Sequence, residues 1–586
     1  MFENEKQALN QVVARFCEKR GLPAGKLEWR KIPFSGEWGM AAPLFPLAAA
    51  DPNKSGPVPA HAQFLAEALA AELQGLAGFA RVEASKGYLN LYFSSSEYAQ
   101  KALEDVLAAG SAYGSQPQSG GPVMVEYSNV NTHKPIHVGH LRNVILGGTI
   151  CRMLEAAGHP VIRANYIGDI GLHVIKWLYN YERFHAGEKP AADIMRWMSD
   201  IYTEAERHFA SDPAYEAEVR AYFNRWDAGD EEIRTLWLKT RDWSMAGFEQ
   251  TYQLLGEHFD RIYFESEVED SGKLLVEDLI ERGIAEDGRP ENPVIVDLDK
   301  LLGTKEEYRV VVLLRSDGTS LYATKELPLA MLKFEEYPLE QSIYVVDVRQ
   351  TLHFKQAKKI LELMGFEPAK RMQHLAYEIV NLPGNVTMSS RDGTVVLLDD
   401  LLREASQRAQ NIVAEKNAAL SLEQQQEIAR EVALGAIKYP MISRETTKVV
   451  TFDWESALDF NGQSAPYIQY AHVRANSILR KAGLGLEAAD LPANFAYELN
   501  SSEINLIELL TELPDLIVRA AKELKPSLIA TYAYDLAKAF NDFYNTCPVL
   551  GAEEPQRGAR LALVAAARIV LEKSLRILGI DAPQEM

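Results

Sequence analysis

In the stretch EYSNVNTHKPIHVGHLRN, residues 126–143, two imidazoles stand three apart around a glycine: His137, Gly139 and His140. With no cysteine or acidic ligand close by, a metal is not the expected guest. On the first turn of a helix, His137 and His140 share one face, and Gly139 lets an adenine or a ribose approach the backbone. As hydrogen-bond donors the two imidazoles can stabilise charge that develops on an α-phosphate and on its departing pyrophosphate, which is electrostatic catalysis with no covalent intermediate. The same pair can also do no more than cap a helix or face solvent.

Positioning such a pair requires a rigid frame. The apolar run VMVEY, the loop SNVNTHKPI and the helical pattern that opens at HVGHLRN form a strand–loop–helix unit. In an open parallel sheet this is where helix N-terminal N–H groups meet a phosphate. Neither G-x-x-x-x-G-K-[ST] nor G-x-G-x-x-G follows a strand, so the usual glycine-rich phosphate loops are absent. Further apolar runs, VIRANY, VIVDL, YRVVVLLR, SIYVVD and HLAYEIV, are separated by helical segments and predict buried parallel strands. They outline a parallel-sheet α/β domain over residues 120–400, interrupted by a mostly helical block at about 175–290. Residues 1–112 predict a small α+β domain, in which Tyr88, Asn90 and Tyr92 alternate with Leu89, Leu91 and Phe93 as in a half-buried strand. The linker SAYGSQPQSGG follows it, and residues 401–586 have helical periodicity nearly throughout.

A chain of 586 residues exceeds the size of one growing core and predicts several domains. Its 47% hydrophobic residues are spread evenly, with no apolar run approaching the roughly 20 residues of a membrane span. The opening MFENEKQALN is no secretory signal, and Cys17, Cys151 and Cys547 are too scattered for a disulfide framework or a zinc knuckle, so a cytoplasmic, reducing setting without a membrane is expected. The net charge of −21 means that any RNA partner must be met by local basic patches.

The stretch around His137 and His140 resembles the HIGH signature of class I aminoacyl-tRNA synthetases, and TMSSRDGTVVLLDDLL at 387–402 resembles their second signature, KMSKS. Within that class the resemblance is to arginyl-tRNA synthetases. It extends over nearly the whole chain, through NYIGDIGLHV, FDWESALDFNGQSAPYIQYAHVRANSILRK and the terminal LGIDAPQEM. It implies a Rossmann-like catalytic domain with a helical insertion, an N-terminal tRNA-contacting domain and a C-terminal all-α anticodon-binding domain. It implies ATP and magnesium, a monomer, and a reaction in which L-arginine becomes arginyl-adenylate and then passes to the terminal 2′-OH of tRNA(Arg). It also implies the family's need for bound tRNA before arginine is activated.

Carried over residue by residue, the resemblance implies that His137, Gly139, His140, Met388, Ser389 and Ser390 hold ATP. Arginine would be met by Glu126, Asn131, Tyr322, Glu326 and Gln350, which supply the carboxylates and planar acceptors a guanidinium fork needs. For tRNA it implies Asn90 in the first domain and Tyr467, Tyr470, Arg474, Tyr544 and Met586 in the last, where aromatic and basic groups interleave as in readers of unpaired bases. His353 can serve substrate or core. The chain departs from the family in two places: Glu326 replaces the usual Asp, and Thr387, Met388, Ser389, Ser390, Arg391 lacks both signature lysines. Arg391 and Lys134 are the cations expected to compensate. A nucleotidylyltransferase sharing the H-x-G-H loop and a weakened paralogue that only binds tRNA are the alternative readings. No editing domain is evident, and a site that pairs a guanidinium at several points can reject lysine without one.

Overall fold

The computed structural model describes residues 3–23, 27–32, 37–76, 78–136, 138–190, 193–303, 305–382, 386–387, 398–416, 420–485 and 494–586. At its centre is a five-stranded parallel sheet with the spatial order Met372–Tyr377, Gln341–Asp347, Val123–Glu126, Val161–Ile167, Arg261–Phe264. The first of these strands in the chain lies in the middle; the next two extend the sheet to one side and the last two to the other. The order therefore reverses between Val123–Glu126 and Gln341–Asp347, the kind of switch point where open α/β sheets open a crevice at the strands' carboxyl ends. All four residues of Val123–Glu126 are buried, which explains why the strand reads as a continuous apolar run capped by one acid.

Two expected members of this sheet lie elsewhere. Val294–Asp297 and Val310–Leu314, from the VIVDL and YRVVVLLR runs, pair antiparallel with each other in a separate three-stranded sheet, where Val294–Asp297 also pairs with Glu286–Asp287 on its other side. Val294–Asp297, the central strand of that sheet, alternates buried and part-exposed residues, and a strand buried on one face suits an antiparallel sheet rather than a parallel core. Conversely, Arg261–Phe264 joins the parallel sheet although it lies within the stretch expected to be helical, because only four of its residues pair and the flanking helices mask so short a signal.

The helical block comprises Leu172–Phe184, Ile194–Ser211, Pro213–Asp227 and Glu231–Leu255, packed around Trp177, Tyr181, Tyr222 and Trp237. In the N-terminal part, Tyr88–Tyr92 lies between Gly39–Pro43 and Arg81–Ser85 in an antiparallel sheet, with Leu89 and Leu91 inward. This part is tied to the C-terminal helices by Trp38 Nε1 donating to Glu508 (3.0 Å) and Tyr98 Oη to Thr511 (3.2 Å). The C-terminal third is built from Leu398–Lys416, Leu422–Ile442, Ala465–Lys481, Ser501–Glu523, Pro526–Thr546 and Gln556–Ile577. Among the described residues no helix is long and apolar enough to cross a membrane.

Candidate active site

The loop leaving Val123–Glu126 is held in a costly conformation. Ser128, Asn129 and His133 have φ of 75°, 49° and 61°, the left-handed region that non-glycine residues enter at about 1–3 kcal/mol each, Asn most readily. Side chains from several elements fix it. Ser128 N–H donates to Asn143 Oδ1 (2.6 Å), Asn129 N–H to Asn165 Oδ1 (3.1 Å) and His133 N–H to Ser244 Oγ (3.0 Å). The His133 imidazole is buried between the hydroxyls of Thr132 (2.9 Å) and Thr240 (2.8 Å), edge-on to Trp177, and burial lowers its pKa to about 3. It is a neutral strut. Asn131 bridges to Gly168, where any Cβ would lie 2.1 Å from Asn131 Oδ1, so the loops from two neighbouring strand ends meet at a glycine that nothing larger can replace.

The loop delivers the chain to the helix Val138–Ala156, on whose first turn Gly139 and His140 are half-buried; His137 lies outside the described residues. This helix approaches the sheet closely, since a Cβ at Gly147 would sit 2.2 Å from Tyr127 Cγ. Lys134 is half-buried, its ammonium 5.6 Å from the ring centre of Tyr202 in the helical block. Met388, Ser389, Ser390 and Arg391 lie outside the described residues, and so does the side chain of Thr387. Two residues that the motif reading passed over tie this helix down. Buried Asn143 donates to Val345 O (2.8 Å) and Tyr377 Oη (3.2 Å), and buried Arg142 donates to the carbonyls of Glu378 and of Lys448 (3.0 Å). The available signal was polar side chains in an otherwise apolar helix, where buried polar groups must find partners.

Four carboxylates gather at the carboxyl ends of the strands. Glu126 ends its strand fully buried; its Oε1 accepts from Asn129 Nδ2 (3.1 Å) and its Oε2 from Lys333 Nζ. Glu265 is paired with Lys325 (2.7 Å), and Asp169 with Arg241 (3.0 Å) and with the Ser266 hydroxyl (2.7 Å). Glu326 differs. Its Oε1 is buried without a hydrogen-bond partner, and burial followed by the Glu126 charge raises its pKa to about 7, against the pull of Lys333. All four acids act on the Tyr166 phenol, whose pKa burial and these charges raise well above the ordinary value. Burial likewise raises the pKa of Glu265 and Asp169, offset by their cations. Sequence reasoning named Glu126 and Glu326 but missed Glu265, Asp169, Tyr166 and Lys333: Tyr166 and Asp169 lie in the quoted stretch NYIGDIGLHV without a role being read there, Lys333 follows Glu326 by two turns of one helix, and sheet order brings these groups to Glu126 and Glu265. Tyr322, at the start of the helix Tyr322–Glu336, is 76% exposed, and Gln350 is exposed at the start of Thr351–Leu363. His353 is half-buried edge-on to Phe354. Among the described residues no group of three or more His, Cys, Asp or Glu converges as metal ligands.

In the C-terminal domain the Arg474 guanidinium lies 5.0 Å from the ring centres of both Tyr470 and Tyr544 and donates to Asn541 Oδ1 (2.5 Å). The half-buried Tyr467 ring packs on Tyr534. Met586 is only 8% exposed and belongs to the hydrophobic core, so its thioether is a packing group here. Asn90 shares the part-exposed face of its strand with Tyr88 and Tyr92.

Two family models match the chain: the catalytic domain of class I tRNA synthetases (R) over residues 102–454, and the DALR anticodon binding domain over 468–586. Among curated proteins, the arginine–tRNA ligase of Alkaliphilus metalliredigens is 32% identical over 564 residues, covering 96% of either chain. That of Clostridium acetobutylicum is 34% identical over 515 residues, covering 87% of this chain and 88% of the relative. Among solved structures, the Thermus thermophilus arginyl-tRNA synthetase superposes with a TM-score of 0.78 at 28% identity over 99% of this chain and 100% of the other. A Plasmodium falciparum structure at 18% identity and a TM-score of 0.72 shares the fold.

Proposed function

The chain belongs to the class I arginyl-tRNA synthetases and uses ATP to join L-arginine to tRNA(Arg) through arginyl-adenylate; on that premise we propose how its residues share the reaction. The observation that carries the assignment of the amino-acid pocket is Glu326, a buried carboxylate with an unpartnered oxygen among three other acids that each have a cation. Such a group is costly when empty and strongly favoured when a guanidinium supplies two parallel N–H donors. Glu126, Asn131, Tyr322 and Gln350 complete the pocket, with Tyr322 and Gln350 at its exposed rim.

His137 and His140 stabilise the α-phosphate while Gly139 admits the nucleoside, and Met388, Ser389 and Ser390 hold ATP from the second signature. An arginine carboxylate oxygen attacks the α-phosphorus, and the bond to pyrophosphate breaks. Lys134 and Arg391 take the charge that leaves with pyrophosphate, in place of the missing lysines. The terminal 2′-OH of tRNA then attacks the acyl carbon and AMP departs. Magnesium would be carried by the ATP phosphates and would neutralise their charge there, since this ion commonly keeps its waters and binds substrate oxygens. We assign tRNA contacts to Asn90 in residues 1–112 and to Tyr467, Tyr470, Arg474 and Tyr544 in residues 401–586, leaving core-packed Met586 out, around a catalytic unit at 120–400, in a cytoplasmic monomer. No observation favours a nucleotidylyltransferase or a binding-only paralogue.

The test is charging of unfractionated tRNA with labelled arginine, with lysine as control, and pyrophosphate exchange with and without tRNA. Arginine-specific charging supports the scheme; tRNA binding without charging overturns it. Lys134→Ala and Arg391→Ala should each slow adenylate formation by more than about threefold, a barrier increase of roughly 0.7 kcal/mol, and smaller effects would remove those two roles.

A further inference from the structure

The four carboxylates at the strand ends have unequal company. Glu126 has Lys333, Glu265 has Lys325 and Asp169 has Arg241, while among the described residues no ion pair reaches Glu326. Lys333 is fully buried, seven residues after Glu326 on the same helix, and its ammonium lies 4.2 Å from the ring centre of Tyr344, the residue in register with Glu126. A buried ammonium that merely filled space would be replaced without loss by an apolar side chain, whereas one that balances a carboxylate beside the substrate sets the charge the substrate meets.

We propose that Lys333 is a positioning and specificity-determining residue for the arginine pocket: by neutralising Glu126 it leaves Glu326 as the one uncompensated carboxylate, so that the empty pocket lacks a single positive charge and arginine's guanidinium supplies it. This rests on the pocket assigned above. The groups facing Glu326 are Glu126 from the central strand, Tyr344 and Tyr166 from its two neighbours, and Lys333 from its own helix. Burial holds both phenols neutral near pH 7, so Glu126 and Lys333 are the charges that decide its state. When the pocket is empty Glu326 is partly protonated, and a bound guanidinium expels that proton; arginine therefore binds more tightly as pH rises through about 7.

The experiment is the KM for arginine and kcat in aminoacylation, from pH 5.5 to 9, for the full-length wild type, Lys333→Arg, Lys333→Met, Glu126→Gln and the double variant Glu126→Gln/Lys333→Met. Lys333→Met should raise the KM by roughly tenfold or more and move its inflection to higher pH, because two facing carboxylates then share one site, while Lys333→Arg keeps both within about threefold. Glu126→Gln leaves Lys333 as an unbalanced cation and should raise the KM most. The double variant restores the balance and should bind arginine better than Glu126→Gln alone. A folded Lys333→Met with an unmoved pH profile overturns the proposal, as does a double variant no better than Glu126→Gln. If Lys333→Met does not fold, the comparison of Glu126→Gln with the double variant decides. Failure of the wild type to charge arginine would instead overturn the functional reading on which the proposal stands.

Discussion

Two buried charged clusters, one at the strand ends and one at the junction with the C-terminal helices, treat their surplus charge in opposite ways. At the strand ends the surplus is Glu326, left without a bond at Oε1. At the junction with the C-terminal helices the surplus is Lys438, which lies beside the Arg152–Glu257 ion pair (2.9 Å). Burial, followed by Arg152, lowers the Lys438 pKa to about 8, yet the amine donates to the carbonyls of Leu255 (2.8 Å) and Gly579 (2.5 Å). Those carbonyls belong to the end of the helical block and to the C-terminal tail, so this surplus is consumed in holding three segments together. Lys438, satisfied by fixed main chain, is structural; Glu326, the one of the four strand-end acids with an unpartnered buried oxygen, is the group open to a ligand.

The contrast breaks most visibly at Glu326. Glu326→Gln should lower kcat/KM for arginine by roughly a thousandfold, because a site built to pair a guanidinium loses its one uncompensated charge, while the empty protein becomes no less stable. Steady-state charging and a thermal melt check both halves, and a destabilised variant would make Glu326 structural. Lys438→Met should do the reverse: a stability loss of about 2–4 kcal/mol from two orphaned carbonyls, measured by denaturant unfolding, with pyrophosphate exchange in the folded fraction changed less than about threefold.

This division also separates what was legible in the sequence from what was not. The loop with His140, Glu126 and Asn131 was legible because strand, loop and helix are contiguous and each carries its own pattern. Glu326 was legible only through resemblance, and its unpaired state not at all: Lys333 is two turns along the same helix, but that it pairs with Glu126 instead, and that Glu265 and Asp169 lie close by, follows from strand order. The VIVDL and YRVVVLLR runs were misplaced for a related reason: apolar content identifies a strand, but not which sheet it joins, and their antiparallel pairing is set by partners on either side of a loop. The assignment of Met586 to RNA contact stands against its buried side chain, because a terminal methionine gives no periodicity from which burial can be read.

A milder effect belongs to the C-terminal helices. Arg474 is stacked between Tyr470 and Tyr544 and bonded to Asn541, so Arg474→Ala should raise the KM for tRNA by about tenfold through lost stacking and phosphate pairing, with the KM for arginine unchanged. A filter-binding titration against salt tests it, and an unchanged tRNA affinity would leave the stack a structural brace.

The smallest effect is a pH dependence of stability in the empty protein, and it distinguishes the two clusters by sign. Glu326 titrates at about 7 when folded and at 4.5 when exposed, so between those values the native state holds more protons than the unfolded one. Its contribution is fully present below pH 4.5 and is lost as pH rises toward 7. Lys438 titrates at about 8 when folded and 10.5 when exposed, so the cost of its charge is relieved as pH rises between those values. His133, lowered from 6.5 to about 3, loses stability as pH falls below 6.5 and partly masks the Glu326 slope, which is why the measurement must be a difference between variants. The melting temperature of Glu326→Gln minus that of wild type should grow by roughly a degree or two from pH 4.5 to 7 and then level off. Saturating arginine should remove that growth, since a bound guanidinium keeps the carboxylate ionised. A difference that stays flat across the window would mean that Glu326 is already paired in the empty protein, and the contrast with Lys438 would then disappear.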